Sequence, residues 1–271
     1  MKGKIHKNKT LNSTLREVSE IAGYLWQKGW AERNAGNISV DVSHQVEFES
    51  GFPDSCPFFE LPLSFSMLGG KCFLVSGTGK RMRDLARKPK NNLVLVKLNA
   101  EASGYWLVPL HEKDDSIMPT SELLAHLGIH QMISSRGSAE RVVLHAHVTE
   151  LIALTHVDEF CDQDTLNGVL WSMHPETIVF VPKGVGFVPY TLPGTPEIAE
   201  KTIEVLHMHD VAVWEKHGVF AIGKSAGDAF DKMDIVAKSA HIYFLCKSVD
   251  ITPKGLSDIQ LAELKALTSN F

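Results

Sequence analysis

The chain has 271 residues, with 27 Lys and Arg against 32 Asp and Glu, a formal charge of −5. That balance excludes a basic surface for holding nucleic acid, and 44% hydrophobic with 22% charged residues excludes a disordered chain. The basic start, residues 1–10, leads into an amphipathic stretch and not an apolar leader core. No run approaches the roughly 18 apolar residues of a membrane helix, so a cytoplasmic protein is expected.

Leu15, Val18, Ile21, Ala22 and Leu25 recur at helical spacing, which predicts a helix over 11–28 closed by Gly29. Strands are predicted over 38–42, 72–75, 93–98 and 104–108. Residues 51–70, rich in Pro, Ser and Gly, read as a long loop insertion within the same domain and not a linker. A helix over 121–134, a strand over 141–147 and a helix over 150–156 follow. Then come a strand over 177–181, a helix over 196–207, strands over 211–214 and 219–222, and a long helix over 226–246. The order lacks a strict βαβ rhythm and a G-x-G-x-x-G turn. It predicts a single α/β domain over 1–271, a central sheet covered by helices on both faces. Cys56, Cys72, Cys161 and Cys246 are scattered without a C-x-x-C pair, as expected of thiols in a reducing compartment.

The 13 histidines are the unusual count. In Val142-Val143-Leu144-His145-Ala146-His147 the alternation of a strand sends His145 and His147 to one side, about 7 Å apart along the strand. That spacing suits two imidazoles on one metal ion, and it also suits two polar residues on a solvated face. His217 stands at a strand end, where Gly218 would let the backbone bend. A third imidazole there would complete a His₃ set with an open position, the arrangement of catalytic zinc. Glu122 follows Pro119-Thr120-Ser121 and is either helix-start chemistry or an acid/base. His126 and His130 fall on one helix face with Glu122. His126 is a candidate helper, with capping or packing as the alternative, and His130 is assigned no function. His207 and His209 end a helix and read as structural. His6, His44, His111, His156, His174 and His241 are also assigned no function.

Three segments suit a small anion. Ser76-Gly77-Thr78-Gly79-Lys80 is a Gly-rich turn after a strand but not a P-loop. Arg33-Asn34-Ala35-Gly36-Asn37 is a second turn with amide donors, and Thr120 and Ser121 stand at a helix N-terminus. Each is also an ordinary turn or cap. Beside a metal site they suggest a small phosphorylated substrate.

With these segments assembled, the chain resembles the class II, zinc-dependent sugar-phosphate aldolases over nearly its whole length. The resemblance is carried by Lys28-Gly29-Trp30-Ala31-Glu32-Arg33-Asn34-Ala35-Gly36-Asn37, Val75-Ser76-Gly77-Thr78-Gly79-Lys80 and Pro119-Thr120-Ser121-Glu122-Leu123. Arg141 to His147 and His217-Gly218-Val219-Phe220 complete it. It implies an aldolase/adducin-type α/β fold with a mainly antiparallel sheet, and retro-aldol cleavage of a phosphorylated ketose. It implies one zinc per subunit on His145, His147 and His217, with Glu122 as catalytic acid/base. Asn34, Gly36, Asn37, Thr78, Gly79, Thr120 and Ser121 would surround the substrate phosphate. Glu176 would serve a neighbouring subunit's site in a homotetramer. Ala35 and Thr78 depart from the family's Gly and Ser; the hydroxyl is kept, and the alanine would tighten the turn. On the same resemblance, a fuculose-phosphate aldolase or pentulose-phosphate 4-epimerase, and a metal-free adducin-like interaction module, are alternatives. The joint presence of three histidines and Glu122 speaks against the last.

Overall fold

Helix α1 (Lys9–Gln27) buries Leu11, Leu15, Val18, Ile21, Ala22 and Leu25 along one stripe, as their spacing requires. Gly29, at φ +75°, ends it. The Trp30 N–H donates to the Leu25 carbonyl at 2.9 Å and the Gly29 N–H to the Trp26 carbonyl at 3.1 Å, a Schellman closure. Trp30 is thereby buried, and the chain turns sharply into the Arg33–Asn37 segment.

The structure, a computed structural model, describes residues 5–7, 9–48, 56–110 and 117–268. The strands are β1 (Ile5–Lys7), β2 (Asn37–Asp41), β3 (Val46–Phe48), β4 (Phe58–Glu60), β5 (Cys72–Ser76), β6 (Leu93–Leu98), β7 (Gly104–Pro109), β8 (Val142–Ala146), β9 (Val185–Val188), β10 (Val211–Trp214) and β11 (Gly218–Gly223). After α1 come α2 (Met82–Arg87), α3 (Leu123–Ser135), α4 (Thr149–Leu154), α5 (Gln163–Met173), α6 (Pro175–Phe180), α7 (Pro196–Leu206), α8 (Ala226–Lys247) and α9 (Asp258–Thr268). The fold is mixed α/β with a large, mainly antiparallel sheet, as the resemblance implies. Contacts divide the chain into two compact units, residues 1–144 with 223–227 and residues 145–222 with 228–271. Among the described residues no helix is long and apolar enough to cross a membrane.

In the first unit, β4, β7, β6, β5 and β2 pair in that order, each antiparallel to the next. The near-continuous apolar runs of β5 and β6 are buried along almost their full length, as strands covered on both faces are. Phe73, Val75, Val94, Val96 and Leu107 pack with Leu123 and Leu127 of α3. In the second unit, β10 runs antiparallel to β11 and parallel to β9. Asn167 of α5 ties that helix to β9 by donating to the Val185 carbonyl at 2.8 Å and accepting from the Val185 N–H at 2.7 Å.

Three local expectations are corrected. Residues 177–181 are not a strand: α6 covers Pro175–Phe180, with Pro175 at its first turn, where the missing N–H costs nothing. Within 51–70, Phe58–Glu60 forms β4 against β7 and Ser66–Leu68 forms a 3₁₀ turn, while residues 51–55, like His111, lie outside the described residues. Helix α3 begins at Leu123 and not at 121, which leaves Glu122 at the cap position with no side-chain capping bond.

Candidate metal centre and proton-transfer cluster

Helix α3 is buried on nearly every side between Leu123 and Ile133, so its polar side chains must find partners inside the protein. Strand β2 supplies them. A strand advances about 6.8 Å in two residues and a helix about 6 Å in four, so the two repeats run nearly in step. Asn37 and Ser39 thus meet Glu122, His126 and His130. The Asn37 amide nitrogen donates to the Glu122 carboxylate at 2.9 Å, and its oxygen bonds the His126 Nε2. Ser39 Oγ lies 2.7 Å from His126 Nδ1 and 2.8 Å from His130 Nε2. Burial holds the His130 imidazole neutral, its pKa pushed down to about 3, with the nearby Asp41 carboxylate opposing and Lys71 reinforcing the shift.

The three segments expected around an anion come together in the same unit. The Thr78 N–H donates to the Met118 carbonyl and the Thr120 N–H to the Ser76 carbonyl, each at 2.8 Å, which lays the Ser76–Gly79 turn beside the start of α3. Ile38 N–H donates to Ser76 Oγ at 3.0 Å and brings in the Asn34–Asn37 turn. Thr78, Gly79, Asn34 and Ser121 are exposed, Gly36 is half-buried, and Thr120 is buried. The backbone amides of Gly77 and Thr78 are engaged by Asn92 and Met118, so an anion here would meet hydroxyls and the neighbouring turns more than that pair of N–H groups. The left-handed residues of the first turn are Arg33 and Gly36, not Ala35, so the alanine imposes no backbone strain.

In the second unit, His145, His147 and His217 offer ligand nitrogens that all lie within 4.8 Å of one another. His145 sits in β8 and His147 just beyond its end, on the same side, as alternation requires. His217 arrives on the tight connection between β10 and β11, where Lys216 takes the left-handed conformation (φ +58°) and its N–H donates to Thr155 Oγ1 at 2.8 Å. Gly218 has a different reason from the bend first ascribed to it. A Cβ there would stand 2.7 Å from the Ala146 carbonyl oxygen, 2.9 Å from the His145 ring and 3.2 Å from the His147 ring. Only glycine leaves room for the two imidazoles.

The set fits a divalent ion. His145 Nδ1 lies 3.0 Å from the Val219 carbonyl, which can only accept, so Nδ1 carries the proton and Nε2 presents its lone pair. Burial first, and then the adjacent imidazoles, hold the His145 pKa well below the ordinary histidine value, so the ring is neutral as a ligand must be. Phe220 stacks on His145 at 4.4 Å between centroids, and Trp214 stands 5.0 Å from His217. Trp214 is itself fixed by a 2.8 Å bond from its indole N–H to Thr202.

Glu176 is not part of this triad. It is exposed in the first turn of α6 and pairs with His174 at 3.0 Å. Ser39 and His130 were missed as site residues by sequence reasoning, although Asn37-Ile38-Ser39 has strand spacing and Glu122, His126 and His130 have helix spacing.

Residues 16–244 match the family of the class II aldolase and adducin N-terminal domain. The chain belongs to that family. Within it, the chain is 41% identical to a rhamnulose-1-phosphate aldolase of Bacteroides thetaiotaomicron, over 97% of both chains. A protein of the same name from Mannheimia succiniciproducens is 35% identical over 91% of this chain and 90% of its own. The crystal structure of a sugar-phosphate aldolase from Thermotoga maritima superposes with a TM-score of 0.76 at 30% identity, covering 90% of this chain and 99% of that one.

Two outcomes are expected. His217→Ala should abolish stoichiometric metal in the purified protein, measured by elemental analysis, and full metal content would remove His217 from the ligand set. The second concerns pH. As pH falls below 6.5, unfolded His130 gains a proton that folded His130 refuses until about pH 3. The unfolded state binds more protons throughout that window, so stability falls with pH there, by up to about 1.4 kcal/mol per unit from this group. His130→Phe should flatten the urea-unfolding free energy between pH 6 and pH 4 by up to that slope.

Proposed function

We propose that this chain is a zinc-dependent aldolase that reversibly cleaves L-rhamnulose 1-phosphate to dihydroxyacetone phosphate and L-lactaldehyde, acting in the cytoplasm as a homotetramer. The observation that carries this reading is the 41% identity over 97% of both chains with a protein of that name. The triad of imidazoles and the Glu122 carboxylate at the start of α3 supply groups that the reaction needs.

In this reading His145, His147 and His217 would hold the zinc, which when bound would supply Lewis acidity toward the negative charge developing at the C3–C4 bond. Glu122 exchanges the proton at the carbon that becomes nucleophilic, with Asn37 fixing one of its carboxylate oxygens. Asn34, Gly36, Thr78, Gly79, Thr120 and Ser121 surround the phosphate, and Asn37 adds its place in the turn. They orient the three-carbon fragment and so lower the entropic part of the barrier. Glu176, exposed on the short helix α6, serves a neighbouring subunit by moving the hydroxyl proton of the aldehyde half.

Glu122→Gln should retain zinc and slow cleavage by roughly 10²–10⁴-fold, read by coupled detection of the triose phosphate. Near-normal turnover would reduce the carboxylate to a helix-start residue. Mixing Glu122→Gln with Glu176→Gln subunits should regenerate a fraction of fully competent sites. Absence of recovery would contradict sharing between subunits.

A further inference from the structure

The bonds between β2 and α3 have a polarity that the carboxylate at one end dictates. An ionised carboxylate only accepts, so the Asn37 amide nitrogen must face Glu122, as it does at 2.9 Å. The amide oxygen then faces His126 Nε2, which must carry the ring proton. A neutral His126 so protonated presents a bare Nδ1, and the Ser39 hydroxyl must donate to it across 2.7 Å. The oxygen of that hydroxyl is left to accept from His130 Nε2–H across 2.8 Å. Every donor in the series points toward Glu122. The four intervening residues are buried: Asn37 is 8% exposed, Ser39 1%, His126 0% and His130 2%. At its far end His130 lines a cavity of about 390 Å³ together with Asp41, Lys71 and Ser134.

We propose that Ser39, His126 and His130 are positioning residues of the reaction: through Asn37 they form a hydrogen-bond chain of fixed polarity that orients the Glu122 carboxylate. This rests on the reading of Glu122 as the acid/base. An amide has no proton that it can hand on, so the chain is not a proton wire, and the proton moved by Glu122 exchanges on the substrate side. Aligned hydrogen bonds polarise one another in a buried setting, which strengthens the last one, from Asn37 to the carboxylate. Removing the Ser39 hydroxyl releases His126 to adopt the other tautomer. Its bare Nε2 would then repel the Asn37 oxygen, turn the amide over and set oxygen against oxygen at Glu122.

The test uses the zinc-loaded full chain. Ser39→Ala should lower kcat for the ketose phosphate about tenfold, the worth of one hydrogen bond to a charged group, with rates normalised to bound zinc. KM should stay within about twofold, because the chain acts on proton transfer and not on ground-state binding. Ser39→Thr, which keeps the hydroxyl, should recover most of kcat. A Ser39→Ala/His130→Phe double variant should fall no further than Ser39→Ala alone. Solid-state ¹⁵N spectra of histidine-labelled wild type, assigned with a His126→Gln variant, should show His126 as the Nε2–H tautomer. An Nδ1–H tautomer, or wild-type kcat in Ser39→Ala, would overturn the proposal. A wild type inactive on the ketose phosphate would overturn the proposed reaction; the Nε2–H tautomer would still uphold the polarity of the chain.

Discussion

In β2, and again at the end of β8, alternate residues of the strand share one face. Asn37 and Ser39 in the first, and His145 and His147 in the second, are held side by side by nothing more than the two-residue repeat of extended backbone. A one-residue slip of register would send all four to the opposite face, so the apolar residues between them, Ile38 and Ala146, also fix the chemistry. In the first unit the repeat is matched by the four-residue repeat of α3. In the second it is completed by His217 on the turn between β10 and β11, with Gly218 keeping the space clear.

Both clusters keep imidazoles in the neutral state by burial, for different ends. His145 leaves Nε2 to face His147 and His217 because its other nitrogen is tied to the Val219 carbonyl. His126 and His130 serve as buried donors and acceptors whose roles follow in series from the Glu122 carboxylate, which can only accept. A made hydrogen bond of this kind contributes only about 1 kcal/mol, whereas leaving its partner unsatisfied costs about 1–3 kcal/mol. The loss of one member is therefore felt by the next.

The composition limits partners without naming the substrate. A net charge of −5 disfavours a polyanion, yet one small phosphate needs only a few directed donors, which the proposed reading places at the turns 33–37 and 76–79 and the start of α3. Much of this was legible in the residues. The H-x-H alternation, the amphipathic first helix and its Gly29 stop all appear in the structure. Residues 177–181 misled because a short β-branched run satisfies strand and helix patterns alike, and the better guide was Pro175 at a first helical turn. Gly218 was credited with flexibility when its role is steric, a contact between β11 and β8 that no single segment encodes. The link from Asn37 to His130 depends on which strand lies beside α3, and that is set by tertiary packing.

The central claim is a metal-dependent carbon–carbon cleavage. The most direct measurement follows dihydroxyacetone phosphate and L-lactaldehyde together from L-rhamnulose 1-phosphate, with the protein zinc-loaded, then stripped by chelator, then resupplied with zinc. The account predicts equimolar release that chelation abolishes and zinc restores. No release from the zinc-loaded protein, or cleavage at full rate after stripping, would contradict it.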